Sequence, residues 1–390
     1  MWTLTIPGST IEGGLTLTDL NGDGNKEILF GTLSTNSLYC INASNKEMIW
    51  VRPISSQIGT RPVVVDVDLD GNKDILIGDI NSRIYSFYED GIPFFSRIIG
   101  TSNYGDLTVA DLDGNGDFEV LIPQDNGYLN CSSADTLLYE WHYYCNGRVV
   151  FNPIVCDVNQ DGKKEVLVGS DANYIYMLHH NGTLFWQKTF STAMRLSPVI
   201  ADLENTGNFT IFTFSGQNLY SIRGNSGETN WITEFNASIG CSPAIADING
   251  DGILDLVVSC SGNLFLVNPW TGEIIDHSYT GFNFEEGIIL GDVNGDNDLE
   301  IVGIDTASSI RCLDCAGSAW FLPAPWPFSG GSSWQNSFCQ DSDGDHYLDT
   351  FETALGTKIN DVDTDDDGFP EYWEMQYDLN PMQYTPPNGD

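Results

Sequence analysis

One nine-residue phrase recurs seven times along this chain, and it constrains the fold more tightly than any other feature. It reads DLNGDGNKE from Asp19, DVDLDGNKD from Asp66, DLDGNGDFE from Asp111, DVNQDGKKE from Asp157, DLENTGNFT from Asp202, DINGDGILD from Asp247 and DVNGDNDLE from Asp292. Successive copies stand 45 to 47 residues apart. β-Branched runs flank each copy, such as Pro62-Val63-Val64-Val65 before the second and Ile75-Leu76-Ile77-Gly78 after it. A third strand follows, as in Ser37-Leu38-Tyr39-Cys40-Ile41, and then a fourth that ends in Trp50, Trp141, Trp186 or Trp231. Runs of this composition bounded by Gly, Asn and Asp read as strands and turns. Four short strands per unit, repeated seven times, predict an all-β chain folded as a seven-bladed β-propeller, whose blades bury their faces against one another.

Each of the four tryptophans lies 16 residues before the next loop-opening Asp, and Trp2 lies 17 before Asp19. The N-terminal strand therefore qualifies as the outer strand of blade seven, closing the ring through the chain's two ends. Ser318-Ala319-Trp320-Phe321-Leu322 qualifies as well. The propeller is expected over residues 1–333, a small calcium-bound segment with short helices over 334–380, and a linker or tail over 381–390.

The repeated phrase carries oxygen ligands at alternate positions. In the first loop Asp19, Asn21 and Asp23 stand at positions 1, 3 and 5, Gly24 at the turn, Asn25 at the carbonyl position 7 and Glu27 at 9. That spacing suits Ca²⁺, which takes six to eight hard oxygens including a backbone carbonyl and a closing carboxylate. The same reading selects Asp66, Asp68, Asp70, Asn72 and Asp74, then Asp111, Asp113, Asn115, Asp117 and Glu119. Loop four offers Asp157, Asn159, Asp161, Lys163 and Glu165; loop six offers Asp247, Asn249, Asp251, Ile253 and Asp255. Loop seven offers Asp292, Asn294, Asp296, Asp298 and Glu300, with Asn297 at the turn. Lys163, Ile253 and Asp298 enter through their carbonyls. Loop five has Thr206 at position 5 and Thr210 at position 9, so it is expected to be empty or weakly filled. An acidic β-turn without metal is the bland alternative for a single loop. Against it, six loops keep the spacing in a chain where Lys and Arg are scarce.

Two further loops follow the repeats. Asp341, Asp343, Asp345, Tyr347, Asp349 and Glu352 fall at positions 1, 3, 5, 7, 9 and 12 of an EF-hand spacing, and Asp363, Asp365, Asp367, Phe369, Glu371 and Glu374 repeat it. The last Glu of each sits at or near the start of a short helical stretch, residues 351–355 and 371–377. His346 replaces the usual turn glycine of the first.

The seven DxDxDG-type copies resemble the FG-GAP and VCBS repeats of integrin α-subunit propellers and of many secreted microbial proteins. The resemblance covers roughly residues 1–320 and implies Ca²⁺ held between the first and second strands of each blade. The segment after it resembles thrombospondin type 3 and related bacterial calcium repeats, in which ions replace a hydrophobic core. Gly227-Glu228-Thr229-Asn230-Trp231 is also similar to pyrroloquinoline-quinone-type blades, a likeness of blade packing without residues for that cofactor.

The chain has 55 acidic and 15 basic residues, a net charge of −40. Nucleic acid and anionic lipid are held by Lys and Arg clusters, so neither is expected as a partner. No apolar run reaches the roughly 20 residues of a spanning helix, so no membrane insertion is expected. About eight Ca²⁺ ions, six in the propeller and two in the tail, would reduce −40 to −24. Weak calcium sites fill in extracellular concentrations, which points to an exported protein.

None of the five histidines shows a zinc spacing, there is no GxSxG motif or phosphate loop, and Cys312-x-x-Cys315 falls in a blade strand, a structural thiol or a bridge from Cys315 to Cys339. The chain therefore reads as no enzyme. A calcium-braced adhesive or structural surface module is the first expectation. A carbohydrate-binding or polysaccharide-lyase-type protein is the second, because some lyases use calcium propellers. Its partners are then other protein subunits or surface glycans. Tyr372, Trp373, Tyr377 and Tyr384 near the C-terminal end are anchors for docking on a neighbouring subunit, which would propagate as a filament or array.

Overall fold

The computed structural model describes residues 10–11, 14–100, 105–194, 196–204, 206–237, 239–248, 253–291, 298–306, 309–318, 357–358, 361–365 and 382. Among the described residues, twenty-seven strands form seven antiparallel sheets and no helix occurs. The fold is the expected seven-bladed β-propeller. Six sheets have four strands in simple sequential order, from β1 (Leu15–Thr18), β2 (Glu27–Gly31), β3 (Ser37–Asn42) and β4 (Met48–Pro53) to β21 (Ala244–Ala246), β22 (Asp255–Cys260), β23 (Asn263–Val267) and β24 (Ile274–Tyr279). Blade seven comprises β25 (Phe284–Gly291), β26 (Asp298–Asp305) and β27 (Ile310–Ser318). Trp2 and residues 319–322 lie outside the described residues.

Contacts divide the chain into two compact units, one carrying blades one to four and the other blades five to seven. Within each, the core sits between blades. Leu29, Leu38, Cys40 and Trp50 of blade one pack with Val64, Ile75 and Ile77 of blade two, all buried. In the second unit Phe212, Phe214 and Leu219 of blade five pack with Ile245, Leu256 and Val258 of blade six. A strand sandwiched on both faces needs apolar side chains of both parities, which is why the second strands read as continuous runs such as Ile75-Leu76-Ile77. The outermost strands face solvent; every residue of β24 is exposed.

The tryptophans of the outer strands set the spacing between adjacent blades. Trp50 Nε1 donates to Glu89 O at 3.2 Å, and Trp231 Nε1 donates to Pro269 O at 3.0 Å. In each case the acceptor lies in the hairpin between the third and fourth strands of the following blade. A glycine in that hairpin makes room for the ring: a Cβ on Gly91 would lie 2.8 Å from Trp50, on Gly182 2.5 Å from Trp141, and on Gly272 2.5 Å from Trp231.

Candidate functional site

Each repeated phrase folds as the connection between the first and second strands of its blade. In loops one to four the position 1 carboxylate caps the turn, accepting backbone N–H groups from positions 5 and 6. Asp19 accepts from Asp23 at 3.1 Å and from Gly24 at 2.9 Å. Asp66 accepts from Asp70 at 3.1 Å and Gly71 at 2.8 Å, and Asp157 from Asp161 at 3.2 Å and Gly162 at 2.8 Å. Asp111 does the same toward Asn115 and Gly116, at 3.2 and 2.9 Å. The position 6 residue has φ of +84° at Gly24, +92° at Gly71, +92° at Gly116 and +82° at Gly162, a left-handed conformation that side chains resist. Loop five keeps this frame, with Gly207 at +76° and its N–H donating to the Asp202 carboxylate. Asp202 and its counterparts thus shape the turn whether or not an ion is present, and positions 5 and 9 distinguish loop five from the rest.

Position 9 is where the loops become a site. It is the first residue of the second strand in loops one to four and six, and in all six acidic loops it is a buried acid: Glu27, Asp74, Glu119, Glu165, Asp255 and Glu300 are 0 to 6% exposed. One oxygen reaches back to the loop's second residue. Leu20 N donates to Glu27 Oε2 at 2.9 Å, Val67 N to Asp74 Oδ2 at 3.0 Å, and Leu112 N to Glu119 Oε2 at 2.8 Å. Glu27 Oε1 is buried with no hydrogen-bond partner among the described residues. Ligand oxygens of Asp66, Asp68 and Asp74 lie within 4.8 Å of one another, as do those of Asp111, Asp113 and Glu119.

The electrostatics follow from that geometry. Burial pushes the Glu27 carboxyl above its ordinary value. It pushes Asp74 up to about 7, aided by Asp68, Asp66 and Asp70, and Glu119 up to about 8, aided by Glu140, Asp113 and Asp111. Buried acids crowded by acids favour the protonated form, and a bound cation would reverse that preference. The set consists of hard oxygens, with an orphaned buried carboxylate oxygen in loop one, and so fits a divalent oxygen-seeking ion such as Ca²⁺. The residues that would hold it are the acids and amides at positions 1, 3, 5 and 9.

The loops are not equivalent. In loop one Asn21, Asp23 and Asn25 are exposed, Asp23 Oδ1 accepts Asn25 N at 2.7 Å, and Lys73 Nζ donates to Asp19 O at 3.0 Å. Asp70 Oδ1 likewise accepts Asn72 N at 2.8 Å, and Asn115 Oδ1 accepts Asp117 N at 2.6 Å. In loop four Asp161 Oδ1 accepts Lys163 N at 2.9 Å, Asn159 lies in the turn, and His179 Nδ1 stands 3.2 Å from Glu165 Oε1. Loop six has Asp247 and Asp255 buried and Ile253 exposed; Asn249 and Asp251 lie outside the described residues. In loop seven Glu300 is buried and Asp298 opens β26, while Asp292, Asn294 and Asp296 lie outside. Of the tail ligands Asp363 and Asp365 are described; Asp341, Asp343, Asp345, Tyr347, Asp349, Glu352, Asp367, Phe369, Glu371 and Glu374 are not. The eight described cysteines, Cys312 and Cys315 among them, are free thiols, and Cys339 lies outside.

Sequence reasoning did not anticipate that the ninth-position acid is buried. The signal was its place immediately before a β-branched run, as in Glu165-Val166-Leu167-Val168. It also missed a cleft beside loop five, lined by Glu204, Asn208, Thr210, Arg223, Asn230 and Trp270.

No family model matches the sequence, and no curated protein matches it. Solved structures match its fold. BBS1N, crystallised in complex with ARL6DN, superposes with a TM-score of 0.53 at 12% identity over 79% of this chain and 92% of that one. BamB from Moraxella catarrhalis gives 0.54 at 14% over 78% and 83%, and Sqt1 from Saccharomyces cerevisiae 0.56 at 10% over 80% and 88%. At these identities the likeness is one of fold. The class that fold and loops define is a β-propeller protein with an acidic loop between the first two strands of its blades.

Proposed function

We propose that this protein is a non-catalytic, extracellular, calcium-stabilised propeller that acts as a structural or adhesive surface module. The observation that carries the reading is the buried acid at the ninth position of six loops, clustered in loops two and three with other carboxylates. Such clusters are unfavourable in a folded protein unless a cation neutralises them. Six ions would brace the blades through their loops, producing a rigid surface on which partners dock. Sites tuned for millimolar calcium belong outside the cytosol. The carboxylate-rich tail, with its aromatic anchors, would join one copy to the next as a filament or array.

Thermal melting and sizing of the full chain, in millimolar Ca²⁺ and in chelator, test this reading. Calcium should raise the Tm steeply, and removal of residues 341–390 should abolish assembly while leaving the propeller folded. An unchanged Tm in chelator refutes the calcium reading. A full-length chain that stays monomeric in calcium refutes assembly. A carbohydrate-binding role is favoured by one specific observation, the cleft beside loop five.

A further inference from the structure

Two departures from the repeat meet at one place in the second unit. The first is loop five, where Thr206 and Thr210 stand in place of carboxylates. The second is the hairpin tip between β23 and β24 in blade six. Three-residue tips elsewhere carry a small polar residue at their centre: Ser44 in blade one, Asp135 in blade three and Asn225 in blade five. Such residues suit exposed turns because they bond their own backbone. Blade six has Trp270 there, 38% exposed. A large indole at a solvent-facing tip serves no turn function and exposes apolar area.

The tip is held firmly. Asn268 Oδ1 accepts the N–H groups of Trp270 at 2.9 Å and Thr271 at 3.0 Å, while Trp231 Nε1 binds Pro269 O at 3.0 Å. Trp270 and Thr210 then line the same cleft, of about 220 Å³. Thr210 occupies the position where the other loops place a buried Asp or Glu, so the cleft opens where an ion ligand is missing.

We propose that this cleft binds a single neutral sugar ring, presented at the end or side of a glycan. It rests on the adhesive reading and deepens it by naming what the module would hold. The volume is below the roughly 300 Å³ at which drug-sized pockets begin, which suits one ring. Trp270 offers a flat apolar face for the C–H side of a pyranose. The amides of Asn208 and Asn230 already donate one N–H each, to Thr206 Oγ1 at 2.9 Å and Ser221 Oγ at 3.2 Å; the second N–H and the carbonyl oxygen of each supply the donor and acceptor that hydroxyl groups require. Glu204 accepts and Arg223 donates at the rim, where Arg223 Nη1 already lies 3.0 Å from Glu228 Oε2. A uronate is disfavoured: the chain's net charge is −40, and the cleft's guanidinium is shared with that carboxylate.

Ligand-observed saturation-transfer NMR on the full chain in calcium tests the proposal. The probes are methyl glycosides of glucose, galactose, mannose and N-acetylglucosamine, with methyl glucuronide as the acidic arm. At least one neutral glycoside should give signal and the glucuronide none. Trp270→Ala should weaken binding at least about tenfold, or 1.4 kcal/mol, with its Tm unchanged because the side chain is an exposed tip, and Trp270→Phe should restore part of it. Silence from every neutral glycoside, a glucuronide signal as strong as theirs, or binding that survives Trp270→Ala overturns the proposal. Calcium loading is measured on the same sample. Loss of sugar binding with full loading sinks this inference alone, and sugar binding without loading sinks only the calcium reading.

Discussion

Glu119 and Leu112 are tied across the third acidic loop: the Leu112 N–H donates to Glu119 Oε2 at 2.8 Å, joining the loop's exit to its entry. The bond holds a buried carboxyl beside Asp111 and Asp113; the bond itself favours the ionised form, but burial outweighs it and gives the metal-free protein a distinctive pH dependence. The folded-state pKa values of Glu119 and Asp74 lie at about 8 and about 7, above those of the unfolded chain. Groups of this sign stabilise the fold at acid pH and lose that contribution as pH rises through their folded values. In chelator, the Tm should therefore fall between about pH 4 and pH 8, from the unfolded-chain values up to the folded ones. In saturating Ca²⁺ the loss should vanish, since the ion holds both carboxyls ionised. Glu119→Gln should flatten the chelator profile and reduce the calcium-induced rise. A chelator profile flat across that range would contradict the assignment.

Loop five provides the converse experiment. Its turn frame survives in Gly207 and Asp202, so restoring the missing acids with Thr206→Asp and Thr210→Glu should create one additional Ca²⁺ site. Equilibrium dialysis with metal analysis should report one more ion per chain than the wild type. The same double variant should fill the neighbouring cleft, because Thr210 lines it. An unchanged ion count would show that position 9 does not decide occupancy.

Much of this was legible in the sequence. Turn chemistry is local and repeated, so Asp19-x-x-x-x-Gly24 and its copies located both the loops and the strands beside them. The burial of Glu165 or Asp255 was hinted at only by their place before a β-branched run, because it depends on which strands pack over the second strand of a blade. The cleft was not legible, since its defining residues Thr210 and Trp270 are 60 positions apart and meet only when blades five and six pack. Blade seven's outer strand and the tail ligands fall mostly beyond the described residues.

Gly182 and Gly24 should behave differently on substitution by alanine. Both have positive φ, +77° and +84°. A Cβ at Gly182 would also lie 2.5 Å from the Trp141 ring, whereas nothing stands within 4 Å of Gly24. Gly24→Ala should cost about 1 kcal/mol from backbone strain, and Gly182→Ala about 2–4 kcal/mol once the displaced tryptophan is added. Denaturant unfolding in saturating calcium measures both. Equal costs would mean that the Gly182–Trp141 contact contributes nothing.

The thiols offer an independent check on the core. Cys40, Cys145 and Cys241 are buried, and burial pushes each thiol up to about 12; Cys315 is half-buried and raised to about 11, while Cys312 is exposed. Brief maleimide labelling of the native protein, mapped by mass spectrometry, should modify Cys312 first among the described cysteines and leave Cys40, Cys131, Cys145, Cys156, Cys241 and Cys260 unmodified until denaturant is added. Rapid native labelling of any of these six would contradict the packing between blades.

Anomalous scattering from crystals grown in calcium tests the central claim most directly. Six propeller peaks are expected, one each in loops one, two, three, four, six and seven, every peak beside its buried ninth-position acid, with none in loop five. Fewer than four peaks, or a peak in loop five as strong as the others, would contradict it.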